Sequence, residues 1–222
     1  MRANQIETFD AFFSDRMKSV YTAIPGYIID FDPETMLSQV QIGVVKIMTD
    51  GTEVEAPPVI LCPTQFPGGQ DWIVEIEVNP GDECLIHFSQ RTIDGWRETG
   101  GVSTQPTVRF HNVQDAFVSP GYRSAKTRLS GFSNDGIKLR HKDDDVSVHI
   151  KGDKSIQVES PSEINMNAPI IKLNGVEIDS GANVKTSATI EADTDVIAAG
   201  ISGKGHKHGG VQTGGGKTGE PE

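Results

Sequence analysis

The stretch from about Gly136 to Ala198 repeats one device: two or three apolar side chains at alternate positions, then a polar turn. The apolar sets are Ile137/Leu139, Val146/Val148/Ile150, Ile156/Val158, Ile164/Met166, Ile171/Leu173, Val176/Ile178 and Ala188/Ile190. Asp143-Asp144-Asp145, Gly152-Asp153, Ser160-Pro161-Ser162, Asn174-Gly175 and Ser180-Gly181 fill the gaps. Period two is the signature of strands with one apolar face. No Phe, Trp or Tyr follows Phe132, so each strand has little to bury. Such a segment must stack on copies of itself. It reads either as a single-chain β-solenoid or as a β-prism wound from three chains. Seven rungs of small side chains make a very thin core for one chain, so three chains around one axis pack better. At about 4.8 Å per strand, seven rungs span roughly 30 Å.

Upstream the pattern changes. Ile6, Phe9, Phe13, Met17, Val20 and Ile24 recur every three or four residues, which predicts an amphipathic helix over about 5–23, ended by Pro25-Gly26. Its aromatic stripe is expected either on its own domain or in a partner assembly. Residues 26–122 read as β. Short strands are predicted at Tyr27–Phe31, Leu37–Met48, Pro58–Cys62, Trp72–Val78 and Glu83–Ser89, with turns at Asp32-Pro33-Glu34-Thr35, Asp50-Gly51 and Asn79-Pro80-Gly81-Asp82. Five short strands in some ninety residues suggest a small closed barrel of the OB type. Cys62 and Cys84 make no disulfide framework. Cys84 shares a face with Ile86 and Phe88 and reads as a buried thiol.

The formal net charge of −11 argues against nucleic acid or anionic lipid as a partner bound through charge. No apolar run reaches 18 residues, and Met1–Gln5 lacks the apolar block of a signal peptide, so folding in a cytoplasm is expected.

Residues 199–222 are rich in glycine, the composition of a flexible tail. Within them stands Gly205-His206-Lys207-His208-Gly209-Gly210. On an extended backbone the two imidazoles project to one side, and each neutral ring offers one lone pair to a metal. Two ligands per chain make a poor site. Three chains would supply six, enough for an octahedral ion such as iron(II) or nickel(II) rather than four-coordinate zinc. A saturated shell leaves no position for substrate, which makes such a site structural. The remaining histidines read as structural: His87 and His111 in the barrel, His141 and His149 solvated beside carboxylates.

The chain resembles the central spike proteins of contractile-tailed bacteriophages, the baseplate assembly protein V family, which is related to type VI secretion tips. Asp32-Pro33-Glu34-Thr35 with Val40-Gln41 is similar to the family's opening barrel strands. The stretch from Gly81-Asp82 through Arg91, Asp94 and Trp96 is similar to a "GD, apolar strand, R-x-x-D-x-W" block, and Arg109 to Phe117 resembles the "H-x-x-x-D-A" segment. His206 to Gly216 resembles the apex motif "H-x-H-x-G-V-Q-x-G-G-G".

The resemblance implies a mainly β homotrimer. After a helix (1–25) of this chain's own, the implied parts are an OB-type barrel (26–122), an intertwined triple-stranded β-helix (123–198) and an apex (199–222). There one iron ion is held by His206 and His208 of three chains. It implies a non-enzymatic spike on a virion tail baseplate, assembled in the host cytoplasm, docked on hub proteins and driven through the host outer membrane. No catalytic residue and no nucleic-acid partner are expected. Two departures stand out: the aromatic-rich helix ahead of the barrel, and the lack of room for the lysozyme domain some relatives carry after it. A glycan-binding module is the alternative function.

Overall fold

The computed structural model describes residues 2–207, 209, 210 and 214. The chain divides into two compact units, residues 1–132 and 133–222.

The first unit opens with α1 (Arg2–Met17), followed by β1 (Ala23–Asp32), β2 (Leu37–Ile42), β3 (Lys46–Ile47), β4 (Glu53–Val54), β5 (Val59–Pro63), β6 (Glu83–Phe88), α2 (Asp94–Thr99) and β7 (Ala116–Pro120). Five strands form one antiparallel sheet in the order β5-β2-β1-β6-β7. The sheet curls until its edges meet. Thr64 bridges Val118 in parallel, and the Gln65 N–H donates to the Val118 carbonyl at 2.8 Å. Alternation places Cys84, Ile86 and Phe88 of β6 inside, with Ile28, Val40, Ile42, Val59, Cys62, Ala116 and Val118. Both cysteines are free and buried, and loss of solvent pushes their thiols up, to about 12 for Cys62 and about 11 for Cys84. Gly26 of β1 lies so close to β2 that a Cβ there would stand 2.3 Å from the Gln41 carbonyl oxygen. Asp50-Gly51 turns β3 into β4, with Gly51 at φ +84°.

Three elements of this unit differ from the sequence reading, the first being Leu37–Met48, which ends as a strand of the main sheet at Ile42 and resumes in a separate hairpin at Lys46–Ile47. The helix stops at Met17 rather than at Pro25-Gly26, because the chain from Ala23 onward is taken into the sheet. Ile24, which continues the helical spacing, pairs with Ile86 and packs on the barrel core, as does Tyr21. Trp72–Val78 alternates like a strand but joins no ladder beyond the single Gly68–Ile73 bridge. Trp72 is 86% exposed, and only Val78 of the row reaches the core. The unit extends past the last barrel strand because the Glu83 carboxylate accepts from the Ser124 N–H and the Thr127 hydroxyl, both at 2.5 Å.

The second unit contains β8 (Ile137–Arg140), β9 (Ser147–Ile150), β10 (Ile156–Glu159), β11 (Ile170–Leu173), β12 (Val176–Asp179), β13 (Val184–Thr186), β14 (Ile197–Ala198) and β15 (Ile201–Ser202). They form antiparallel meanders, β10-β9-β8 and β11-β12-β13, and one hairpin, β14-β15. Register lines up the apolar sets. Ile137, Ile150 and Ile156 form one cross-strand row, and Leu139, Val148 and Val158 the next. In the second meander the rows are Ile171, Ile178, Val184 and Leu173, Val176, Thr186. Asn174-Gly175 makes the tight turn, both at positive φ.

The apolar rows of the first meander are all exposed, from 41% at Val148 to 69% at Ile156. Its opposite face carries the covered side chains, among them Lys138 and Arg140, which share the Asp144 carboxylate. Among the described residues of this unit only Ser147 and His149 are buried. The burial of His149 corrects the expectation of a solvated ring: its Nε2 lies 2.6 Å from the Asp135 carbonyl oxygen. His141 is exposed beside Asp145 and Asp143, as read from the sequence.

Candidate metal-binding apex

The chain enters the apex through β14 and β15, joined by Ala199 and Gly200, both at positive φ. This is the geometry of a two-residue hairpin turn. Past Ser202 a short knot of hydrogen bonds turns the backbone. Gly203 N–H donates to the Val196 carbonyl at 2.7 Å, and Gly205 N–H to the Ser202 hydroxyl at 2.7 Å. Lys204 N–H donates to the Asp195 carboxylate at 2.9 Å. The Ser202 hydroxyl and that amide hold the Asp195 carboxyl below the usual carboxylate range.

His206 sits at the end of this knot. Its Nδ1 lies 3.2 Å from the Ser202 carbonyl oxygen and 3.1 Å from that of Gly203. Carbonyl oxygens only accept, so Nδ1 carries the proton. In the neutral ring the lone pair then belongs to Nε2. Backbone carbonyls that fix the tautomer of a histidine are a common support for metal-binding imidazole, so the His206 ring fits a role as nitrogen donor to a cation. His208, the second expected ligand, lies outside the described residues, as do Val211 and the Gln212-Thr213 pair. Among the described residues, no three His, Cys, Asp or Glu side chains of one chain converge as a metal site.

A second constellation lies in the barrel. Arg109 reaches Asp115 through Nε at 3.0 Å and Nη2 at 2.8 Å, Asp94 at 2.7 Å and the Thr92 hydroxyl at 2.8 Å. Asp115 is fully buried and also accepts from the Ile93 N–H at 3.1 Å. Burial pushes its carboxyl up, but the Arg109 and Ile93 hydrogen bonds outweigh that and hold it below the usual range. The same bonds to Arg109 raise the guanidinium. The cluster ties the segment around α2 to the start of β7 within the connection from β6 to β7. Sequence reading has Asp94 in one segment and Arg109 and Asp115 in another; the signal it lacks is that Arg109 pairs with both acids.

Two families match the chain. The Gp138 N-terminal domain of phage proteins covers residues 24–121, the span from β1 to β7. The GpV apex motif covers residues 200–222, from the last hairpin turn through the histidine pair. No curated protein matches. Barrel and apex thus each match a family of phage baseplate spike proteins, the one of the Gp138 type and the other of the GpV type.

Proposed function

We propose that three copies of this chain wind into a cell-puncturing spike at the tip of a contractile phage tail, closed at its point by one iron ion. In this reading the barrel is of the OB type and mounts the spike on the tail hub. The second units of three chains share a β-prism interior. His206 and His208 of each chain hold the ion. When the sheath contracts, the point is driven through the host outer membrane. The task needs stiffness and a sharp end, and no step of it needs catalysis.

One observation carries the reading. The aliphatic side chains of β8–β10 line up in register on a face that one chain leaves open, while the opposite face holds its polar residues. Exposed apolar area of this kind marks an interface. A further two rows follow on β11–β13. The support for a metal is the His206 tautomer together with the apex motif. An ion bound by all three chains acts as an intermolecular staple and stabilises the folded trimer. Iron is chosen on the family resemblance; six nitrogen donors suit nickel(II) as well.

The test is elemental analysis of the purified protein beside a His206→Ala/His208→Ala variant. The expected result is about one iron per three chains, absent in the variant, with a lower melting temperature. Equal metal content in both would remove the histidine pair from the account.

A further inference from the structure

A groove of about 600 Å3 lies between the β1–β2 turn and residues 73–79. Phe31, Met36, Phe66, Ile73, Glu75 and Glu77 are among its lining residues. The Phe31 and Phe66 rings pack together with centroids 5.9 Å apart. One wall is the segment with strand sequence and no ladder. Val74 N–H donates to the Pro67 carbonyl at 2.8 Å, and beyond it the backbone groups of Glu75, Ile76, Glu77 and Val78 make no backbone hydrogen bond among the described residues. Neither Glu75 nor Glu77 has an ion-pair partner among the described residues.

Unpaired backbone beside an apolar floor is a template for an added strand. The side chains specify which strand. An incoming strand places one residue opposite each of Glu75, Ile76, Glu77 and Val78, so cations are wanted opposite the acids and apolar groups opposite Ile76 and Val78. We propose that this groove takes, by strand addition, an extended segment of another tail protein in which apolar and basic residues alternate. The proposal leans on the baseplate assignment only for the origin of that partner. This chain's own segment of the pattern, Ile137-Lys138-Leu139-Arg140, is already committed: Lys138 and Arg140 are paired with Asp144 at 2.6 and 3.2 Å. A second copy is therefore the poorer occupant.

The test uses the full-length protein and capped octapeptides: alternating Val/Lys, alternating Val/Glu, and Val/Lys N-methylated at alternate amides. Binding is read by calorimetry and by the fluorescence of exposed Trp72. The Val/Lys peptide is expected to bind once per chain and the Val/Glu peptide not at all, with N-methylation weakening binding at least tenfold. Glu75→Gln/Glu77→Gln, both at exposed positions, is expected to keep the melting temperature and to weaken the Val/Lys peptide by about tenfold, the loss of two exposed ion pairs. Equal binding of the two charge patterns, indifference to N-methylation, or no Val/Lys binding at millimolar peptide overturns the proposal. So does saturable binding of N-acetylglucosamine oligomers without peptide binding, which would assign the groove to sugars. A changed subunit number in the double variant would assign it to a contact between copies and overturn it likewise.

Discussion

Asp115 and Gly26 are the two residues on which the barrel is most exposed to change. Asp115 has no access to solvent and answers a single guanidinium, so Asp115→Asn leaves Arg109 with Asp94 as its one carboxylate. Removing one partner of a buried pair is expected to cost about 3 kcal/mol, read as a shift of the denaturant midpoint. The pair also sets a pH dependence. A carboxyl held low in the fold contributes stability that is complete above its unfolded value near 4 and disappears as pH falls through the folded value. Barrel stability should therefore decline below about pH 4, and the decline should be shallower in Asp115→Asn. Equal slopes in denaturant titrations at pH 3 to 6 would remove Asp115 from that role. Gly26→Ala forces a methyl against the Gln41 carbonyl, which is backbone and cannot swing away. The expected cost is about 2–4 kcal/mol, and an unchanged midpoint would mean that the β1–β2 spacing is looser than described.

Elements are legible in the sequence where a local pattern and a partner agree. β6 alternates and lies between β1 and β7, so its inward residues can be read directly from spacing. Trp72–Val78 alternates as cleanly, yet period two speaks only of an extended chain and not of a neighbour to pair with. Spacing overextends the helix for a related reason. Val20 and Ile24 keep the helical spacing by coincidence, and the deciding contact is Ile24 with Ile86, sixty-two residues away. The Arg109 cluster joins residues 92 to 115 across a loop, and no short motif encodes it. The apolar pairs of 137–158 are legible as strands, and the structure adds that they register into rows. The stripe of α1 stays outside the barrel, with Phe9, Phe12 and Phe13 each more than half exposed. Deleting residues 2–17 should therefore leave the barrel's unfolding midpoint within about 0.5 kcal/mol of the full chain. A larger loss would show that the helix packs on its own domain.

The proposed trimer makes physical sense of the whole molecule. The first unit has a core of its own, and in the second the apolar rows of β8–β10 are exposed among the described residues. In the proposed trimer the combined formal charge is −33, three times the −11 of one chain, which favours contact through the apolar faces. In the proposed trimer, replacing Leu139 and Val148 by Asp puts charge into the shared interior. The expected outcome is dissociation to single chains whose barrels remain folded by near-ultraviolet dichroism; an intact assembly would mean that these rows face solvent. The most direct measurement is the native mass of the full-length chain with its metal retained. The account predicts about 72 kDa, three times the 24.0 kDa of one chain, with a single iron ion. A species of 24.0 kDa carrying no metal would contradict it.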